Sequence, residues 1–184
     1  MTGAVPGGVG RGGLPGEPDG FREFVETRSR MLLRAAWLLT GDWDAAEDLV
    51  QSALAAAWPR WPSLTRPEAP ERYVQRIMLT TFLRWGRRRW IGEIPFGVLP
   101  EPSDGVDPFD ASDLRRSLTA ALEPLPAQQR AAVVLRYFLD LSEAQTASVL
   151  GCSVGSVKTH TSRALAKLRR TPGLAEIMTG GVAS

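Results

Sequence analysis

The stretch that most constrains this 184-residue chain runs from Leu141 to Arg163, LSEAQTASVLGCSVGSVKTHTSR. Ser142 has the chemistry of a helix N-cap, and Gln145 three residues on completes a capping box. Gly151 stops that helix, where a left-handed residue is needed. Ser153 opens a second helix that can run to Arg170. Ala147, Gly151 and Val157 then supply what a helix-turn-helix requires: a small residue where the helices touch, a glycine in the turn and an apolar anchor. No acidic residue lies between Glu143 and Glu176, whereas Lys158, Arg163, Lys167, Arg169 and Arg170 do. A basic helix docked on a partner helix is a candidate DNA reader.

Composition bounds the rest. The chain has room for one domain or two small ones. With 43% hydrophobic and 23% charged residues it reads as soluble globular material. The net charge of +2 is uninformative, but the basic residues are clustered. Cys152 is the only cysteine, which rules out an internal disulfide and fits a reducing cytoplasm. No apolar run reaches the ~20 residues of a membrane helix, so no membrane insertion is expected. Residues 1–20 hold eight glycines and three prolines, a composition that cannot bury enough surface to order itself. A flexible tail is expected over 1–18.

Helical periodicity runs through the rest of the chain, and no strand pattern occurs. Phe21, Phe24, Val25, Leu32, Ala35 and Leu39 form one stripe of a helix from Asp19 to Thr40. Ala46, Leu49, Val50, Ala53, Leu54, Ala57 and Trp58 form the stripe of a second helix, which Asp44 and Glu47 open and Pro59 ends. Its other face carries Glu47, Asp48, Gln51 and Ser52. That face is a solvated surface or a docking surface, and spacing does not separate the two. Trp58 and Trp61 in the proline-rich connection read as core lids.

A third helix starts near Pro70. Its polar positions include Arg72, Arg76, Thr80 and Arg84, and it ends in Arg87-Arg88-Arg89-Trp90. Tyr73, Phe82, Trp85 and Trp90 are interleaved with these cations. Each aromatic taken singly reads as core, but the arginine cluster as a whole suits single-stranded nucleic acid. Residues 91–112 then carry four prolines and five acids with no basic residue, the composition of a linker. Leu114, Leu118, Ala121 and Leu122 follow on a fourth helix from Ser112, and Ala131, Val134, Leu135 and Phe138 on a fifth from Pro126. The expected architecture is all-α: two small helical domains, 19–90 and 113–172, joined by a flexible acidic, proline-rich linker over 91–112, with a tail from 173 to 184.

Nothing resembles a catalytic constellation. His160 is the single histidine and stands among cations, without cysteine or carboxylate neighbours to build a metal site. There is no phosphate-binding loop and no nucleophile elbow. Neither enzyme activity nor a cofactor or metal is expected.

Three segments together carry a resemblance. DAAEDLVQ at 44–51 followed by Ala57-Trp58, the helix from Tyr73 to Arg89, and LGCSVGSVKT at 150–159 resemble the extracytoplasmic-function group of bacterial sigma-70-type RNA polymerase sigma factors. The resemblance spans residues 20–170. It implies that Asp48, Leu49 and Gln51 bind core RNA polymerase. It also implies that Arg76, Thr80, Arg84, Trp85, Arg87 and Arg88 act at the minus-ten element and its melting. Ser156, Lys158, Thr159, Ser162 and Arg163 would meet the minus-thirty-five element in the major groove of promoter DNA. Many members are held inactive by an anti-sigma factor, so such a partner is implied too. Two positions depart from the pattern: Thr80 stands where many members have asparagine, and His160 where an arginine is usual.

Physics bears on this independently. A helix of ~18 residues is ~27 Å long, enough to cross a ~12 Å major groove and leave its last turns on the backbone. Unstacking bases costs a few kcal/mol per step, so the free chain is expected to bind promoters weakly without polymerase. The rival reading is a free-standing helix-turn-helix regulator that binds an operator as a dimer. It lacks an evident dimerisation helix and leaves the basic third helix unexplained.

Overall fold

The computed structural model describes residues 17–64, 66, 69–89 and 112–170, with side chains described to Trp85 and again from Ser117. The glycine-rich tail, the acidic linker and the C-terminal tail read from the sequence fall outside these residues, save at their edges. All regular structure among the described residues is helical.

Helix α1 spans Phe21–Thr40 and buries Leu32, Ala35, Ala36 and Leu39 completely. It ends at Gly41, whose φ of 76° is costly for any residue with a Cβ, and whose N–H donates to the Trp37 carbonyl at 2.7 Å. Helix α2 spans Trp43–Ala57. Its cap is Asp42, two residues before the first of the acids singled out in the sequence: the Asp42 carboxylate accepts from the Ala45 N–H at 2.8 Å. Proline then forces the chain into a 3-10 turn, Trp58–Ser63. There Phe21 meets Trp58 and Trp61 edge-on at 4.7 and 4.8 Å, and Phe24 meets Trp61 at 5.0 Å. The Trp61 indole N–H donates to the Asp19 carbonyl at 3.1 Å. These tryptophans are lids on the core, as their sequence context predicts. Helix α3, Ala69–Arg89, closes a three-helix unit against α2, with Val74, Met78 and Leu79 fully buried.

The second unit begins with α4, Ser112–Leu122. Helix α5, Ala127–Val133, widens into a π-helical turn over Val134–Phe138, where the Leu139 N–H reaches back to the Val134 carbonyl at 3.0 Å. The Arg136 guanidinium closes this end by donating to the Leu141 carbonyl. Helices α6, Glu143–Leu150, and α7, Val154–Leu168, follow.

The two units are not held apart. Helix α1 packs on α4 and α5, and α3 packs on α5 and α6, so Leu122, Leu125 and Leu135 share one buried cluster with Leu38 and Leu39. Burial of apolar area drives this. One directional contact fixes it: the Arg130 guanidinium donates to the Leu39 carbonyl across the junction and to the Glu123 carbonyl within its own unit, both at 2.7 Å. The last carbonyls of a helix have no intrahelical partner, and a cation suits the negative end of its dipole.

Candidate nucleic-acid interface

The α6–α7 pair forms as its capping residues dictate. Ser142 Oγ accepts from the Gln145 N–H at 3.1 Å while Gln145 Oε1 accepts from the Ser142 N–H at 2.8 Å, a closed capping box. Gly151 sits at φ 64°, and the Cys152 N–H behind it donates to the Ala147 carbonyl at 3.1 Å. This six-residue closure satisfies the end of α6 and reverses the chain. Ser153 Oγ then accepts from the Ser156 N–H at 3.1 Å and opens α7. Ala147 and Val157 are buried, together with Ala164 and Leu168.

With that side of α7 fixed inward, Lys158, Thr159, Ser162 and Arg163 stand exposed on the opposite side. Their spacing of one, three and one places them on one face of the helix. The Thr159 hydroxyl donates to the Gly155 carbonyl at 3.0 Å. Ser156 differs from the other four: it is half-buried, and its hydroxyl lies 2.9 Å from that of Ser153. It belongs to the cap, so its side chain serves the start of α7 before it can serve a base. His160 is half-buried as well, with Nδ1 enclosed and no hydrogen-bond partner among the described residues. Lys158 Nζ lies 3.6 Å from Glu143 Oε2 on α6, an ion pair that neither residue's local sequence reveals. Burial pushes the Cys152 thiol above its ordinary range, the opposite of an activated thiolate.

Helix α3 presents a second exposed row. Arg72, Arg76, Thr80 and Arg84 recur every four residues and are exposed, and the Thr80 hydroxyl donates to the Arg76 carbonyl at 2.7 Å. The aromatics are placed differently. Phe82 is 8% exposed and lies in the core. Tyr73 and Trp85 pack against that core while remaining half-buried. A second packed surface explains this: α3 is pressed between α2 on one side and α5 and α6 on the other. Arg87 and Arg88 are within α3, but their side chains fall outside the described residues, as does Trp90.

On α2, Gln51 is exposed and Asp48 half-exposed. Leu49, between them, is fully buried in the core, where its side chain anchors α2. Among the described residues no group of three or more His, Cys, Asp or Glu side chains could hold a metal ion, and no helix is long and apolar enough to cross a membrane.

Comparison with known proteins agrees with this geometry. Residues 24–91 match the family Sigma-70 region 2, and residues 115–168 match Sigma-70, region 4. The chain is 40% identical over 155 residues to an RNA polymerase sigma-E factor of Streptomyces coelicolor, covering 84% of this chain and 86% of that one. It is 33% identical over 156 residues to the ECF RNA polymerase sigma factor SigL of Mycobacterium tuberculosis, covering 82% and 88%. Among solved structures it resembles the sigma factor RpoE of Bartonella quintana, crystallised with the anti-sigma factor NepR, with a TM-score of 0.67 and 26% identity over 87% of this chain and 99% of that one. A helix-turn-helix pair, a basic helix beside it and matches to both family regions converge: the chain belongs to the sigma-70 family of RNA polymerase sigma factors, in its extracytoplasmic-function group.

Proposed function

We propose how this sigma factor divides its work among the residues described above. The domain over 19–90 docks core RNA polymerase through Asp48 and Gln51 on α2, with Leu49 as the buried anchor between them. The exposed row Arg76, Thr80 and Arg84 on α3 follows the strand opened at the minus-ten element, and Arg87 and Arg88 are assigned the same task. Trp85 is the aromatic on this helix best able to stack on an unpaired base, because Phe82 is committed to the core. The domain over 113–172 lays α7 in the major groove of the minus-thirty-five element, with Lys158, Thr159, Ser162 and Arg163 toward the DNA. The segment 91–112 tethers the two.

The observation that carries this reading is the division of α7, with Val157, Ala164 and Leu168 buried on one side and the four polar residues exposed on the other. The chain acts as an initiation factor without catalysis of its own, in the cytoplasm where polymerase works. An anti-sigma factor is proposed as its inhibitor, because the Bartonella relative that shares its fold was crystallised with one. Retention of core polymerase by the immobilised chain tests the docking assignment. Asp48→Arg is expected to abolish retention while the helical circular dichroism spectrum is kept. Undiminished retention by that variant would place the docking face elsewhere.

A further inference from the structure

The ion pair between Glu143 and Lys158 is a feature of the α6–α7 surface that DNA binding leaves unexplained. Glu143 is the first residue of α6, and Lys158 belongs to the exposed row of α7. Their charged atoms are 3.6 Å apart, with side-chain exposures of 40% and 63%. As a contribution to folding, such a pair is worth little. Its position gives it another consequence. In this motif the first helix crosses the phosphate backbone while the N-terminal part of the second meets the base edges. Glu143 therefore puts a negative charge on the element nearest the phosphates, and Asp140, exposed just before α6, adds another. From Ala144 through Arg170 every other charged side chain on this surface is basic.

We infer that Glu143 is a specificity-determining residue of the minus-thirty-five interface, acting as the internal counter-ion of Lys158. This rests on the proposed role of Lys158 as a DNA contact. An unpaired lysine binds any phosphate and so adds affinity without discrimination. Here Lys158 already has an anionic partner. A phosphate offers it only an exchange of one anion for another, and that phosphate must also approach Glu143. A guanine edge offers two neutral acceptors and no such repulsion. The pair thus penalises contact with the wrong DNA more than contact with the right one, which is how discrimination is raised without tighter binding.

The test uses holoenzyme reconstituted from core polymerase and the full chain. Binding is measured across a salt series to a promoter fragment and to a fragment with its upstream element scrambled. Glu143→Gln keeps the shape and removes the charge. It is expected to raise affinity for the scrambled fragment about tenfold, to leave promoter affinity within about twofold, and to steepen the salt dependence on scrambled DNA by about one unit. In a Lys158→Gln background the same change should lose most of its effect, which an altered helix end alone would not produce. If Glu143→Gln leaves the ratio of promoter to scrambled binding unchanged while Lys158→Gln weakens promoter binding, the inference is overturned and the DNA contact stands. If Lys158→Gln has no effect on either fragment, the reading on which it rests has failed.

Discussion

Helices α3 and α7 both carry a row of exposed cations, yet the two are built differently. Helix α7 packs with one side only, and Lys158, Thr159, Ser162 and Arg163 opposite Val157, Ala164 and Leu168 are exposed. Helix α3 is packed on two sides, and Val74, Gln75, Met78, Leu79, Thr81 and Phe82 are all buried. A reader of duplex DNA needs a protruding rod with a rigid, fully solvated face. A helix that holds separated strands needs a wall that excludes the partner strand and a narrow row of contacts along it. The difference in packing thus matches the tasks proposed for the two helices.

Phe82 separates the two helices most sharply. If it is core, Phe82→Ala costs about 3–5 kcal/mol of stability and Phe82→Leu restores most of it, as read by thermal melting. If it were a stacking residue, Phe82→Ala would leave melting unchanged and impair only strand opening. A second contrast separates the two rows. Arg163→Ala is expected to lower promoter-dependent initiation by about 1–3 kcal/mol and to relax preference within the upstream element. Arg84→Ala should leave closed-complex binding nearly intact and slow opening, followed by permanganate reactivity of unpaired thymines. Equal effects of both variants on both steps would dissolve the distinction. The smallest expected effect is at the turn that lets α7 protrude. Gly151→Ala places a Cβ at φ 64° and should cost about 1–2 kcal/mol, measured as a lowered denaturation midpoint.

How far each helix was legible in sequence follows from the same contrast. The caps and turn of α6–α7 are local, so Ser142, Gln145, Gly151 and Ser153 declare them, and the structure forms each as read. The four-residue row on α3 was equally legible. The core role of Leu49 stood in its own stripe, but family resemblance drew it into a binding trio. What periodicity could not show is which neighbour covers a side. Phe82 and Thr81 are buried on a helix packed on two sides, and the second unit supplies one of those surfaces from beyond a 22-residue linker by sequence reading. Arg130 is the clearest case: its partner, the Leu39 carbonyl, is 91 residues away, and a helix end advertises its free carbonyls to no particular residue. Glu143 and Lys158 likewise meet only once the turn at Gly151 has brought α6 onto α7.

Both rows are proposed to serve one polymerase-bound chain. Transcription in vitro from genomic fragments, with core polymerase in the presence and absence of this chain, tests it most directly. Initiation is expected at defined start sites only when the chain is present, lost on Asp48→Arg and reduced on either Arg84→Ala or Arg163→Ala. Dimeric binding of the chain to an operator without polymerase, with no new start sites, would contradict it.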